Sequence, residues 1–396
     1  MEIIKSLTVP NDRKILLIVL DGLGGLPKDG KTELETARTP NLDNLTKRST
    51  LGLTIPVSYG ITPGSVPGHL ALFGYDPIKY PVGRGVIEAL GVGLSIHPED
   101  LCIRGNFATI KNGIIIDRRA GRIPTEENRR LCELLQSNIR RISNTKIIIH
   151  PSEGHRFAIV MRGQGLSPEI SESDPLRNGE APREIKPLKD QAKRTAEIVR
   201  ELEERALELL RTEKRANYIL LRGYSKFPSL EPMSTRYRID PACIAIYPCY
   251  RGIGKLVGME ILQANTWEEE IEALKSSFND FDFFYLHFKE TDTKGEDGDF
   301  EGKVELIEKF DRLLEEILKI KFDVIAIGSD HSTPALLKSH SWHPSPFLLY
   351  SEYVRSDGIE KFGERSCRKG GLGVFPAIQV MPLLLAHSLK LKKFGA

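Results

Sequence analysis

Several side chains with the chemistry of metal ligands stand shortly after apolar runs of the chain. These are Asp21, Asp292, Glu296, Asp330, His331 and His340. Carboxylate oxygens and imidazole nitrogens suit Mn²⁺, Mg²⁺ or Zn²⁺. The set is large enough for two metal ions that share one cleft, the arrangement used for in-line phosphoryl displacement. Each carboxylate taken alone is equally consistent with a helix cap or a solvated loop, so the prediction depends on the recurrence of the pattern.

A serine between two turns is a candidate nucleophile for such a site. Ser65 lies in the segment TPGSVPGH at 62–69, directly before the apolar residues 70–73, which predict a helix. A hydroxyl at that place is exposed, and a bound cation that lowers its pKa would activate it. The residues alone leave two interpretations open, because Ser65 is also suited to be an ordinary helix N-cap.

The apolar runs themselves predict strands of one sheet. Residues 15–20, 281–288 and 322–327 are largely apolar and lack the alternation of a half-buried strand, as expected for strands covered on both faces of a mostly parallel sheet. Helical patterns lie between them, as at 301–319. This alternation predicts a doubly wound α/β fold, in which functional groups collect at the carboxyl ends of the strands. The Asp residues that follow these strands are therefore expected to meet.

The middle of the chain differs in composition from both ends. Residues 101–160 contain nine arginines, and a long charged helix is predicted over 188–214. We interpret residues 91–239 as an inserted, smaller α/β domain, and residues 1–90 with 240–396 as a discontinuous metal-binding domain. Planar guanidinium groups bind carboxylate and phosphate oxygens in pairs, so the insertion is expected to hold an anionic substrate.

The composition argues against several other classes of protein. The 396 residues include 56 Lys and Arg and 54 Asp and Glu. This balance of charge gives no support to a nucleic-acid or membrane-surface role. The apolar run at 15–20 is far shorter than a membrane helix, and no secretion signal precedes it. We expect a cytoplasmic chain whose partner is a small phosphorylated hydroxy acid, with neither nucleic acid nor membrane. A homo-oligomer stays open, because residues 381–391 are apolar enough to be core or interface.

A set of longer motifs spans nearly the whole chain. They are LDG (20–22), PGSVPGHLALFGYDP (63–77), GRGVIEALG (83–91), GNFATI (105–110), IIIDRRAGRI (114–123), GSDHSTP (328–334), KSHS (338–341) and GGLG (370–373). In these motifs the chain resembles the archaeal-type branch of the 2,3-bisphosphoglycerate-independent phosphoglycerate mutases, within the alkaline phosphatase superfamily. The resemblance implies an alkaline-phosphatase-like fold and the interconversion of 3-phosphoglycerate and 2-phosphoglycerate through a phosphoserine. It implies two divalent metal ions, of which we expect Mn²⁺ or Mg²⁺, and no 2,3-bisphosphoglycerate.

The resemblance also implies roles for individual positions. Ser65 matches the nucleophile. The ligands of the metal beside it are matched by Asp21, Ser65, Asp330 and His331, and those of the metal that holds substrate by Asp292, Glu296 and His340. Substrate contacts in the insertion are matched by Asp117, Arg118, His155, Arg156 and Arg222, and we expect Arg119 and Arg251 to bind substrate as well. Asp117 and Arg118 are predicted to act with Ser65 in catalysis.

The chain departs from the family pattern at positions near the expected metals. Glu296 stands where the family has His, and His343 stands where it usually has Asp. These opposite exchanges motivate the hypothesis that the His343 imidazole replaces the one lost at 296; the alternative is a surface histidine beside Trp342. Val66, Val86 and Arg251 are further departures.

Three interpretations of function stay open on the residues. The first is the mutase. The second is a related metal-dependent phosphotransferase or phosphatase that acts on another small hydroxylated substrate, such as homoserine. The third is a binding or regulatory protein with weakened catalysis. Outside the ligand set, we expect His287 to be a core residue and His69 to have a structural role.

Overall fold

The alternation of apolar strands and helices predicted from the sequence runs through both ends of the chain. A computed structural model describes residues 2–395. Its strands are β1 (Ile15–Leu20), β2 (Ser49–Ile55), β3 (Leu101–Lys111), β4 (Ile114–Asp117), β5 (Arg141–Ile142), β6 (Thr145–Pro151), β7 (Arg156–Arg162), β8 (Tyr218–Ser225), β9 (Pro241–Ala245), β10 (Glu260–Leu262), β11 (Phe283–Phe288), β12 (Val324–Gly328), β13 (Ser345–Ser351) and β14 (Gly373–Pro376).

The α-helices connect and cover these strands. They are α1 (Glu2–Leu7), α2 (Glu33–Thr36), α3 (Pro40–Thr46), α4 (Ser65–Leu72), α5 (Arg84–Gly91), α6 (Thr125–Asn138), α7 (Lys193–Leu210), α8 (Met233–Tyr237), α9 (Pro248–Leu256), α10 (Trp267–Ser276), α11 (Glu290–Asp297), α12 (Phe300–Leu318), α13 (Glu364–Cys367) and α14 (Val380–His387). None of the described helices is long and apolar enough to cross a membrane.

The chain divides into two compact units, one formed by Met1–Pro81 with Leu230–Ala396 and the other by Val82–Ser229. The first unit contains an eight-stranded sheet in the order β10-β9-β11-β1-β12-β13-β2-β14. All neighbours are parallel except β13, which is antiparallel to both β12 and β2. The predicted α/β class and the mostly parallel sheet are confirmed.

The three strands that precede the candidate ligands are neighbours at the centre of this sheet. Strand β1 lies between β11 and β12 and is parallel to both, with Leu20 opposite Phe288 and Val19 opposite Gly328. Every residue of β1 and β11 is buried, as expected for strands covered on both faces. The carboxyl ends of the three strands consequently lie side by side, which brings the residues after them to one edge of the sheet.

The second unit has an antiparallel sheet of its own. Its strands follow the order β4-β3-β7-β6-β5, and β8 also pairs with β3. The helices α6 and α7 pack their apolar residues, such as Leu131 and Val199, into a separate core. The long strand β3 pairs with β4, β7 and β8. Residues of these strands therefore lie next to residues of β3 on the same face of the sheet.

The apolar segment near the end of the chain belongs to the core of the first unit. Met381, Leu384 and Leu385 of α14 are fully buried within the chain, whereas Leu389 is exposed. The apolar character of this segment is accounted for by packing within the chain.

Candidate active site and metal centre

Ser65 is the first residue of α4, and its hydroxyl faces the candidate ligands. The N-cap of the helix is Gly64, so Ser65 does not cap it. The Ser65 Oγ atom lies 3.3 Å from Nε2 of His331. One turn further along α4, an added Cβ at Gly68 would be 2.2 Å from the carbonyl oxygen of Asp330, so only glycine lets the helix approach the ligand loop this closely. Gly68 therefore allows α4 to pack against the loop after β12, and this packing places Ser65 next to His331.

The first group of candidate ligands comprises Asp21, Asp330 and His331, all buried, with ligand atoms within 4.8 Å of one another. His331 Nε2 is 3.2 Å from Asp21 Oδ1 and 3.2 Å from Asp330 Oδ2. These two carboxylate oxygens are buried and accept no hydrogen bond from the described residues. Buried oxygens without donors are costly, and a cation at this point would satisfy both.

The second group shares His331 and adds Asp292 and His340, again within 4.8 Å. Asp292 Oδ1 lies 3.5 Å from His340 Nε2, and the rings of His331 and His340 stack with their centroids 3.6 Å apart. Asp292 is buried in the first turn of α11, which follows β11 directly. The two groups are thus contiguous, as a pair of metal ions in one cleft requires.

The hydrogen bonds of both histidines place a proton on Nδ1 and leave Nε2 facing the candidate ligands. His340 Nδ1 is 2.9 Å from the carbonyl oxygen of Pro63, which accepts but cannot donate, so Nδ1 carries the proton. Thr333 Oγ1 donates to Asp292 at 2.6 Å, so the contact of 2.9 Å between His331 Nδ1 and Thr333 Oγ1 is a bond from the ring N–H. Each Nε2 therefore lies near carboxylate oxygens. A divalent cation between them would bind Nε2 of a neutral ring, and the Nδ1 bonds are those that orient metal-bound imidazoles.

The electrostatics of the site are dominated by three buried carboxylates, those of Asp21, Asp292 and Asp330. Burial by itself would raise the pKa of Asp21, and the Lys289 ammonium together with the His287 ring more than offsets this, so the pKa falls well below its ordinary value. Burial also lowers the pKa of His331, which favours the neutral ring that a metal ligand needs. One ammonium against three carboxylates leaves negative charge for cations to balance.

Of the two positions that depart from the family pattern, Glu296 lies near a candidate ligand, whereas His343 packs against Trp342. Glu296 Oε1 is 3.7 Å from His340 Nε2, but its side chain is 54% exposed and it is in neither compact group. His343 stacks on Trp342 with ring centroids 5.0 Å apart, and its Nδ1 contacts Ser341 Oγ at 3.1 Å. His343 is also in neither group, so the geometry gives the proposed exchange with Glu296 no support and favours the surface alternative.

Four residues in contact with the candidate ligands were not assigned to the site from the sequence. His69 Nδ1 lies 2.8 Å from the Ser65 carbonyl oxygen and 3.2 Å from Asp330 Oδ2, and His287 Nε2 lies 3.2 Å from Asp21 Oδ2. Lys289 pairs with Asp292 and is 3.6 Å from Asp21. The fourth is Thr333. Only the place of His69, one helical turn after Ser65, was visible as a signal in the sequence.

In the second unit, two predicted substrate residues are held by the protein itself. Arg118 forms a bidentate pair with buried Asp174, with Nε and Nη2 at 2.7 and 2.6 Å, and Arg222 Nη1 is 3.4 Å from the same carboxylate. Asp117 accepts backbone hydrogen bonds from residues 119 and 121, at 2.8 and 2.6 Å. Asp117 therefore closes the turn after β4, a structural role that the sequence did not predict.

A cationic face is formed where β8, β3 and β7 pair. Arg104 and Arg222 are register partners, and Arg156 lies diagonally across from Arg104 on the same face. Like charges directly opposite each other destabilise a sheet, so an anionic ligand is the natural partner of this face. Arg104 is mostly buried, and its Nε has no hydrogen-bond partner among the described residues; the nearest carboxylate oxygen, of Glu88, is 3.7 Å away.

The remaining predicted substrate residues lie in different surroundings. Burial, together with the charges of Arg156 and Arg104, lowers the pKa of His155 to about 4, so its ring is neutral at neutral pH. Arg156 also binds Glu153, with Nη2 to Oε2 at 3.2 Å. Arg251 belongs to the first unit, on α9, and its Nη1 donates to Gln263 at 3.0 Å.

The fold and this site define a class: an α/β protein whose candidate nucleophilic serine lies beside two contiguous groups of metal-ligand side chains. The family model of the 2,3-bisphosphoglycerate-independent phosphoglycerate mutases matches residues 46–215. The chain is 53% identical to an Aquifex aeolicus protein over the full length of both, and 50% identical to one from Thermus thermophilus over 100% of this chain and 99% of that one. Both are named "probable 2,3-bisphosphoglycerate-independent phosphoglycerate mutase". The chain belongs to this family.

Two solved structures agree with the relationship. A Pyrococcus horikoshii protein is 31% identical, with a TM-score of 0.83 over 98% of this chain and 100% of its own. The cofactor-independent phosphoglycerate mutase of Thermoplasma acidophilum is 30% identical, with a TM-score of 0.71 over 95% of this chain and 100% of its own.

Proposed function

We propose that the protein interconverts 3-phosphoglycerate and 2-phosphoglycerate by moving the phosphoryl group through Ser65, without 2,3-bisphosphoglycerate. The observation that carries the proposal is the position of the Ser65 hydroxyl, 3.3 Å from the His331 Nε2 at the junction of the two ligand groups. Full-length relatives with 53% and 50% identity carry the mutase name, which supports the same reaction for this chain.

In the proposed reaction Ser65 Oγ loses its proton and attacks phosphorus, and the bond from phosphorus to the 3-oxygen of glycerate breaks. The 3-oxygen takes up a proton, and glycerate turns while it stays bound. Its 2-hydroxyl then loses its proton and attacks the phosphoserine, the bond from phosphorus to Ser65 Oγ breaks, and Ser65 takes up a proton. The His69 contact with the Ser65 carbonyl fixes the first turn of α4, so Oγ stays directed at His331 throughout.

We propose that the two ligand groups each bind one divalent ion, Mn²⁺ or Mg²⁺. Asp21, Asp330 and His331, with Ser65, would hold one, and Asp292 with His340 the other, with Glu296 close enough to join after a side-chain rotation. Such ions, when bound, lower the pKa of a serine hydroxyl and neutralise charge on a phosphoryl group. A carboxylate from Glu296 in place of an imidazole would shift the preference of the second group toward Mg²⁺ or Mn²⁺.

The arginines of the second unit are proposed to bind the anionic groups of the substrate. Arg104, Arg156 and Arg222 share one sheet face, and Arg118 is oriented by its bidentate pair with Asp174. Arg118 uses Nε and Nη2 for that pair, which leaves Nη1 to contact a ligand. Retention of glycerate between the two transfers distinguishes a mutase from a phosphatase, because released glycerate would leave the phosphoserine to water.

The proposal is tested by a coupled assay in which enolase reports the formation of 2-phosphoglycerate from 3-phosphoglycerate. The enzyme is stripped with a chelator and then supplied with Mn²⁺, Mg²⁺, Co²⁺ or Zn²⁺, with no bisphosphoglycerate present. We expect turnover that the chelator abolishes and Mn²⁺ or Mg²⁺ restores. Folded protein that stays inactive with every ion would contradict the proposal. Phosphate release from the phosphate ester of another small hydroxylated compound would then support the second interpretation.

A further inference from the structure

A lysine with no predicted role lies behind the metal centre. Lys303 is in the first turn and a half of α12, and its side chain is fully buried. Its Nζ donates to three backbone carbonyl oxygens, those of Gly22 at 2.8 Å, Gly24 at 3.3 Å and Thr333 at 2.9 Å. The three hydrogens of the ammonium are therefore all used on the backbone of two loops.

Both loops carry candidate metal ligands. Gly22 and Gly24 follow Asp21, and Thr333 follows Asp330 and His331 within three residues. Thr333 extends the connection, because its hydroxyl donates to Asp292 at 2.6 Å and accepts from His331 at 2.9 Å. One ammonium thus links the loops after β1 and β12 and, through Thr333, the ligand that follows β11.

The backbone at this junction is packed closely enough that two positions accept only glycine. An added Cβ at Gly22 would lie 2.6 Å from Thr333 Oγ1 and 2.8 Å from Asp292 Oδ1, and one at Gly295 would lie 2.2 Å from the Thr333 carbonyl oxygen. The loop after β1 and helix α11 therefore both pack closely against Thr333. The Lys303 hydrogen bonds fix the carbonyl groups at the same point.

Burial of the Lys303 ammonium lowers the stability of the folded state unless other groups compensate for it. The nearest carboxylate, that of Glu33, is 3.9 Å away and is itself fully buried. Glu33 Oε1 accepts a hydrogen bond from the Ala335 amide at 2.8 Å, so Glu33 is bonded to the same loop that contains Thr333. Replacing a buried ion pair by apolar side chains of similar volume is often neutral or stabilising, so stability alone does not account for an ammonium here.

We propose that Lys303 is a positioning residue of the metal centre, which sets the spacing between the loops after β1 and β12 and thereby the affinity for both metal ions. The inference rests on the metal centre of the proposed function. Loss of a group that orients metal ligands typically lowers metal affinity 10–100-fold. Lys303 contacts neither substrate nor the candidate ligands, so its effect is exerted through the backbone of Gly22 and Thr333.

The test compares Lys303→Met with wild type and with the control Lys309→Met, a half-exposed lysine on the same helix that contacts Glu268 and the Trp267 ring. Chelator-treated full-length proteins are titrated with Mn²⁺, and free Mn²⁺ is measured by electron paramagnetic resonance. We expect Lys303→Met to bind Mn²⁺ at least about tenfold more weakly, with mutase activity restored only at higher Mn²⁺, while the control matches wild type. The melting temperature without metal is measured in parallel, since a purely structural lysine would change it alone.

Wild-type Mn²⁺ affinity in folded Lys303→Met would overturn the inference. If that variant does not fold, Lys303→Gln, which keeps a donor but is shorter and uncharged, takes its place, and wild-type affinity in it has the same consequence. The proposed function is tested by a different result. Wild-type protein that binds Mn²⁺ but shows no mutase turnover would contradict the proposed mutase reaction, and the comparison of Mn²⁺ affinities would still test the role of Lys303.

Discussion

His340 Nδ1 donates a hydrogen bond of 2.9 Å to the carbonyl oxygen of Pro63, two residues before Ser65. The ring of a candidate ligand of the second metal is therefore oriented by the loop that carries the candidate nucleophile. A change in the second ligand group is consequently transmitted to the position of Ser65, and metal selectivity and turnover are expected to change together.

This coupling leads to a prediction for Glu296, which stands 3.7 Å from the same His340. Glu296→His restores an imidazole, and nitrogen ligation shifts preference toward Zn²⁺ or Co²⁺. We expect the affinity for Co²⁺ relative to Mg²⁺ to rise, measured by titration of the chelator-treated protein and by the activity each ion restores. Glu301→His, at an exposed position on α12 that pairs with Lys28, is the control. An unchanged order of metals would show that Glu296 is not a ligand.

A second prediction concerns Arg118. Arg118→Ala leaves Asp174 buried without its bidentate partner and removes a guanidinium that we propose binds substrate. We expect phosphate release from 3-phosphoglycerate to increase relative to 2-phosphoglycerate formation, because glycerate escapes before the second transfer. The control is Arg130→Ala, which also breaks a bidentate pair, with Glu213 at 3.0 and 2.8 Å, on the exposed surface of the second unit. Equal partition ratios in both variants would mean that Arg118 serves only the scaffold.

A third prediction concerns the pH dependence of stability. Burial raises the pKa of Glu203 on α7 from 4.5 to about 7. Because the unfolded chain releases this proton at lower pH than the folded chain, the native state is progressively destabilised as the pH rises from about 4.5 through 7. Glu203→Gln removes this penalty, and we expect its advantage over wild type at pH 8 to approach about 3 kcal/mol, at about 1.4 kcal/mol for each pKa unit.

Urea unfolding of the wild type, of Glu203→Gln and of the exposed-neighbour control Glu204→Gln at pH 5 and pH 8 measures this difference. The advantage of Glu203→Gln is expected to be small at pH 5, where the carboxyl group is largely protonated in the folded chain. A constant difference between Glu203→Gln and wild type at the two pH values would exclude the raised pKa as its cause.

The central strands and their ligands could be predicted from the sequence because the information is local. Three apolar runs followed by Asp residues specify buried parallel strands, and the carboxyl ends of such strands lie at one edge of the sheet. Asp21, Asp292 and Asp330 accordingly meet. The placement of Ser65 at the start of a helix was equally local, and the position of Gly64 in the structure shows that Ser65 is not the N-cap.

The supporting residues could not be predicted because their roles arise from tertiary contacts. His287 looks like a core residue in its strand, and only the neighbouring β1 shows that it contacts Asp21. The pairing of Arg104 with Arg222 depends on the register of two strands more than a hundred residues apart. Asp174 lies in an irregular segment without periodicity, so nothing local indicated that it holds Arg118.

Detection of a phosphoryl group on Ser65 tests the central claim most directly. Metal-loaded enzyme is mixed with 3-phosphoglycerate, quenched in acid within milliseconds, digested and examined by mass spectrometry, with Ser65→Ala treated in the same way. We expect phosphate on the peptide that contains Ser65 in the wild type, and a folded Ser65→Ala variant with neither the modification nor mutase turnover. Mutase turnover in Ser65→Ala, or a turning-over wild type that carries phosphate on another residue, would contradict the account.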